Sequence, residues 1–201
     1  MRLTISINSI FLTTRIKGQT IMNRIFSFVF FILTAFLLSS CNSQNRPIRD
    51  CQIGELLLSD MDFPSGTFVD PISSPVSEYP EESAGRTAVF SDDLIYHVVG
   101  RYLSSDGAQR KFADSFDLAF DDNKYEGPWA APSGFSYTSS IANQFYVACG
   151  NTGTKHQCRM IGQYEEYYVF FFSYVSDSGM NITIYQDLLD KIDDKMAQCL
   201  R

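Results

Sequence analysis

Gln144-Phe-Tyr-Val-Ala-Cys149 runs through the turn Gly150-Asn-Thr-Gly-Thr154 into His156-Gln-Cys-Arg-Met-Ile-Gly-Gln-Tyr164, and Glu165-Glu166 leads on to Tyr167-Tyr-Val-Phe-Phe-Phe-Ser-Tyr-Val175. Three runs rich in β-branched and aromatic residues, joined by connections this short, read as an antiparallel meander. The third run is apolar on both parities, which predicts a central strand covered on both faces. The turn at 150–154 brings Cys149 and Cys158 opposite each other. The stretch therefore predicts a hairpin closed by a Cys149–Cys158 disulfide.

After Ser176-Asp-Ser-Gly179, Thr183 and Gln186 form a capping box for a closing helix. Tyr185, Leu188, Leu189, Ile192, Met196, Cys199 and Leu200 share one face of it. Asp187, Asp190, Lys191, Asp193, Asp194 and Lys195 share the other. Upstream of the meander, Thr87–Phe90 and Leu94–Tyr102 read as strands. The second puts Leu94, Tyr96, Val98 and Tyr102 on one parity and His97 and Arg101 on the other, which makes His97 an exposed strand histidine. Ser104-Ser105-Asp106 caps a helix of about fourteen residues carrying Ala108, Phe112, Phe116, Ala119 and Phe120. Ser139 or Ser140 is expected to cap a single turn near Ile141. Residues 67–86, with Pro71, Pro75, Pro80 and four serines, have no hydrophobic period and read as a loop. Near the start, Leu56-Leu57-Leu58 docks a short segment on the core before Pro64 and Gly66 end it. Strands, a helix, a meander and a second helix predict an α+β fold, an antiparallel sheet with helices packed on it.

Ahead of this domain lies Arg24-Ile-Phe-Ser-Phe-Val-Phe-Phe-Ile-Leu-Thr-Ala-Phe-Leu-Leu-Ser-Ser-Cys41. An apolar run after a basic residue, ending in small residues, is a secretory signal. Its fourteen apolar-region residues would rise about 21 Å as a helix, short of the roughly 30 Å hydrocarbon core. Leu38-Ser39-Ser40-Cys41 resembles the lipobox of bacterial lipoproteins. That resemblance implies cleavage after Ser40 and a diacylglyceryl thioether, with palmitate-type acyl chains, on Cys41. Residues 1–21 then read as upstream sequence or an extended n-region, 22–40 as signal peptide, 41–50 as a lipidated polar tether and 51–201 as one exported domain. The implied address is a bacterial cell membrane, facing outward or into the periplasm.

Of 16 Lys and Arg residues, four (Arg2, Arg15, Lys17, Arg24) precede Cys41, and none of the 23 acids does. The remainder, 12 against 23, leaves the exported part near −11. Such a surface repels phosphate backbones, which excludes nucleic acid as a direct partner. With Cys41 assigned to lipid, Cys51, Cys149, Cys158 and Cys199 remain, and an even count in an exported domain implies two disulfides with three possible pairings. Cys199 lies on the buried side of the last helix, where the first ordered segment can meet it. Cys51–Cys199 with Cys149–Cys158 is therefore the expected pairing. Zinc competes with this reading, but there is no C-x-x-C, and neither His97 nor His156 stands at a paired ligand interval.

The final two-thirds resemble exported sensor-like and lipoprotein domains of actinobacterial type, such as extracellular kinase sensor domains. The likeness lies in the helix after an early strand, the cysteine-bearing meander and the closing helix. It brings no catalytic motif, and no G-x-S-x-G occurs. Asp121-Asp-Asn-Lys-Tyr-Glu-Gly127 fails the calcium-loop pattern at its fifth and sixth positions. His156 reads as solvated beside a turn. Glu165-Glu166 and Asp187/Asp190/Asp194 read as a hairpin tip and an exposed helix face rather than acid–base pairs. Trp129 with Tyr125 and Phe135, in a Gly/Pro-rich connection, is the candidate binding surface. No catalytic residue, metal ligand or cofactor is assigned. The leading expectation is a non-enzymatic, sensor-like binding lipoprotein whose partner is an envelope protein, a polymer or a small ligand. A hydrolase with carboxylates near 121–137, or a structural envelope protein, is the alternative.

Overall fold

The computed structural model describes residues 49, 51–74, 80–122 and 128–201. Cys41 and the signal-like stretch before it lie outside these residues, as does Tyr125.

The hydrophobic pattern builds six strands: β1 (Phe68–Val69), β2 (Glu82–Phe90), β3 (Asp93–Arg101), β4 (Gln144–Thr152), β5 (Lys155–Tyr164) and β6 (Tyr167–Tyr174). Helices α1 (Ser105–Ala119) and α2 (Ile182–Leu200) complete the fold. The sheet is antiparallel throughout, in the order β1-β2-β3-β6-β5-β4. The expected meander is present, and β6 sits between β3 and β5 as its two-sided apolar pattern requires. Ser91 and Asp92, both at positive φ, close the two-residue β2–β3 hairpin. Such a turn matches the right-handed strand twist but strains residues that carry a Cβ.

One face of the sheet holds the main core. Ile95, Val99, Met160, Val169 and Phe171 pack there against Tyr185, Leu188, Leu189, Ile192 and Met196 of α2. Each of these aliphatic side chains contributes about 1.5–3 kcal/mol by leaving water. Leu56, Leu57 and Leu58 lie under the same helix and are buried, as the sequence implies. Short 3₁₀ turns at Ile53–Leu56 and Asp60–Asp62 shape that segment. Polar bonds fix it: Arg86 donates to the Leu58 carbonyl (3.0 Å), the Leu58 amide donates to His97 Nδ1 (3.2 Å), and Lys195 pairs with Asp62 (3.3 Å).

The other face carries the smaller cluster, in which Ala108, Phe112 and Phe120 of α1 and its flank pack on Ile161, Tyr168, Tyr146 and Phe170. The helix begins where the sequence places it, with the Ser104 hydroxyl accepting from the Gly107 amide (3.2 Å).

Several expectations are corrected. The inward parity of β3 on the α2 side is Ile95, His97 and Val99, while Leu94, Tyr96 and Val98 are half-buried on the opposite face. His97 is therefore buried, at 1 % exposure, and not an exposed strand histidine. Its Nδ1 accepts from the Leu58 amide, while Nε2 has no hydrogen-bond partner among the described residues. Helix α2 is capped by Asn181, whose carboxamide oxygen accepts from Thr183 and Ile184 amides, and not by a Thr183/Gln186 box. The strand preceding β3 starts at Glu82, inside the stretch read as a loop, because pairing with β3 overrides its weak pattern. Ser139 does accept from the Ile141 and Ala142 amides, but no helix follows.

Candidate functional site

Both expected disulfides form. Cys51 and Cys199 approach to 5.9 Å between Cα atoms, and Cys149 and Cys158 to 4.0 Å. Cys149 gives its amide and carbonyl to Ala130 (2.8 and 3.0 Å) and thus turns both away from β5. The opposed pair Cys149↔Cys158 is therefore a non-hydrogen-bonded one, the kind whose side chains stand closest. The other bond joins the first described segment to the end of α2.

Trp129 and Phe135 do not converge. Trp129 lies over Gly150, where an added Cβ would stand 3.0 Å from its ring. Its ring meets Phe120 edge-on at 5.5 Å, and the Arg159 guanidinium stacks on it at 4.6 Å. The same arginine caps α1 by donating to the Ala119 carbonyl (2.5 Å). Trp129 thus belongs to the α1 side of the sheet. Phe135 packs with Tyr137 (6.3 Å), and Tyr137 with Phe145 (5.5 Å), against the core on the α2 side. Tyr125, the third member of the proposed surface, is outside the described residues.

A second aromatic surface escaped the sequence reading. Tyr96 stands 6.4 Å from Phe170 and 6.0 Å from Phe172, and Phe172 stands 6.0 Å from Tyr174. All four rings are half-buried on the α1 side of β3 and β6. The register continues this face through Leu94 and Val89 to Phe68, the last 67 % exposed. Lys155 holds its ammonium 4.4 Å from the Tyr174 ring. The doubly apolar pattern of 167–175 predicts cover on both sides, and that cover is only partial. Geometry gives the reason: a helix about 10 Å across spans roughly two strands at about 4.8 Å spacing, and this face has α1 alone among the described residues.

The acids have structural partners or stand apart. Asp193, placed by periodicity on the solvent face of α2, accepts from two phenols, Tyr164 (2.6 Å) and Tyr137. Burial first, and then the Asp193 carboxylate through its hydrogen bond and its charge, push both phenols up, so both remain donors. Asp187, Asp190 and Asp194 are exposed. Partial burial, then neighbouring Asp187, Asp193 and Asp194, raise the Asp190 carboxyl. Asp122 accepts from the Trp129 amide (3.2 Å). Glu166 pairs with Arg49. A groove of about 800 Å³ runs by the outer face of α1, where Arg110 and Lys111 offset Asp114 and Asp117.

His97 sits between the sheet and the 51–63 segment. Burial, reinforced by the Lys195 and Arg86 charges and opposed by Asp62, lowers it to about 3. Asp62 is itself lowered. Burial raises it, but the Ser59 hydroxyl and amide and the Lys195 ammonium outweigh that. A neutral ring with its acceptor nitrogen spent on Leu58 holds structure together and offers no base to a substrate.

No protein-family model matches the chain, and no curated protein matches it. Among the described residues no helix is long and apolar enough to cross a membrane.

Proposed function

We propose that this chain is an exported lipoprotein, held to a bacterial membrane through Cys41, that displays a disulfide-stapled binding domain without catalytic chemistry. The observation carrying the reading is the pair of disulfides, which account for all four cysteines after Cys41. Such bonds persist in oxidising compartments outside the cytosol. The lipobox-like Leu38-Ser39-Ser40-Cys41 ends ten residues before Cys51, a polar tether's length from the fold. Two or three acyl chains at about 0.8 kcal/mol per buried methylene give lasting attachment where one chain is marginal.

The binding role is supported by the aromatic half-face of Tyr96, Phe170, Phe172 and Tyr174, a contiguous apolar surface of the kind that marks recognition sites. An envelope protein, a polymer or a small ligand is the class of partner. Detergent phase partitioning of wild type and Cys41→Ser tests the anchor. Wild type should enter the detergent phase and the variant should not. Equal partitioning of the two would end the reading.

A further inference from the structure

Cys149, Cys158 and His156 form a group whose ligand atoms, two sulfurs and one imidazole nitrogen, all lie within 4.8 Å of one another; it is the one such group of three among the described residues. The hairpin makes this inevitable. Cys149 faces Cys158 and Asn151 faces His156 in cross-strand pairs two positions apart, with Gly150 and Gln157 between them, and residues two apart on a strand share a face. His156-x-Cys158 is therefore a ligand interval on a strand, although it is none on a helix. Asn151 Oδ1 lies 3.0 Å from His156 Nδ1 and accepts its proton. That leaves Nε2 with its lone pair and orients the ring as an outer-sphere carboxamide does in metal sites. The sulfurs are buried, at 5 % and 0 % exposure for their residues, while His156 is exposed and offers the approach from solvent.

We propose that this hairpin is a redox-gated site for a zinc-class divalent ion. While Cys149 and Cys158 are joined, neither sulfur is a thiolate and the site is closed. A dithiol reductant opens it: its two thiols become a disulfide, the Cys149–Cys158 bond breaks, and two protein thiols form. The ion then replaces the two thiol protons, which are released to solvent, and two metal–thiolate bonds form. His156 supplies a neutral nitrogen and solvent the fourth position, the ligand set of an open tetrahedral site. Reoxidation by a disulfide donor reverses the sequence and expels the ion. The 51–199 disulfide has no part in it.

The test uses the full chain, either oxidised or fully reduced under anaerobic conditions, titrated with Zn²⁺ against a chromogenic chelator. Circular dichroism follows the fold. The reduced protein should take up one equivalent and the oxidised protein none. His156→Ala, at an exposed position, should weaken uptake by the reduced form at least about tenfold and leave the oxidised fold unchanged. A reduced Cys51→Ser/Cys199→Ser variant should bind as wild type does. Reduced wild type that takes up no zinc, His156→Ala that binds equally well, or a reduced chain that stays unfolded in the presence of Zn²⁺ would each overturn the proposal.

Discussion

Acidification should cost this domain stability through one buried ring. His97 is lowered from 6.5 to about 3 in the fold, while in the unfolded chain it titrates near 6.5. Below pH 6.5 the unfolded state therefore binds a proton that the native state refuses, and stability falls as pH falls. The contribution is complete above pH 6.5, declines by about 1.4 kcal/mol per pH unit, and is exhausted near pH 3, a total on the order of 4–5 kcal/mol. Between pH 6 and pH 4.5 the expected loss is about 2 kcal/mol. The groups that face the ring are Lys195 of α2, Arg86 of β2 and Asp62 of the 60–62 turn. None of them changes charge in the upper part of this window, and Asp62 is held ionised further down. Urea denaturation at half-unit pH intervals measures the slope. His97→Asn, which keeps an acceptor for the Leu58 amide, should lower stability at pH 7 and flatten the curve by one proton. Equal slopes in wild type and variant, or an imidazole in the folded protein that titrates near 6.5 by NMR, would refute the assignment.

Two further tests address the staples and the tryptophan. Cys51 and Cys199 are 148 residues apart and Cys149 and Cys158 nine apart; loop entropy alone gives about 5 and about 2.6 kcal/mol for the two bonds. Denaturation of Cys51→Ser and Cys149→Ser should therefore show the larger loss for Cys51, and the reverse order would contradict the pairing's energetics. Gly150→Val should push Trp129 off its seat, because the Cβ alone would stand 3.0 Å from the ring. The expected cost is about 1–3 kcal/mol. Fluorescence of this single tryptophan should shift as its contacts with Phe120 and Arg159 open, and an unchanged spectrum would show that the indole is not seated there.

The sequence spoke clearly where local pattern and tertiary need agree. The meander between 144 and 175, both amphipathic helices and both disulfides were legible because turns, periodicity and an even cysteine count pointed the same way. His97 was misread because both parities of 94–102 carry apolar residues, and the choice of inward face depends on where α2 and the leucines at 56–58 lie. Glu82–Ser83-Ala84-Gly85 of β2 gave no strand signal, since its order comes from pairing with β3. The candidate site was less legible than the fold. Trp129 and Phe135 are six residues apart, yet the chain between them crosses the sheet edge at Ala130, and no spacing rule carries that information. The aromatic half-face was hidden for a related reason: a run apolar on both sides says that β6 is central, not how far one helix reaches.

The central claim is a lipid on Cys41. Mass spectrometry of the mature N-terminal peptide from a host with a bacterial lipoprotein pathway tests it most directly. The expected peptide begins at Cys41 and carries a diacylglyceryl mass on sulfur. A peptide that begins elsewhere, or at Cys41 with an unmodified thiol, would contradict it.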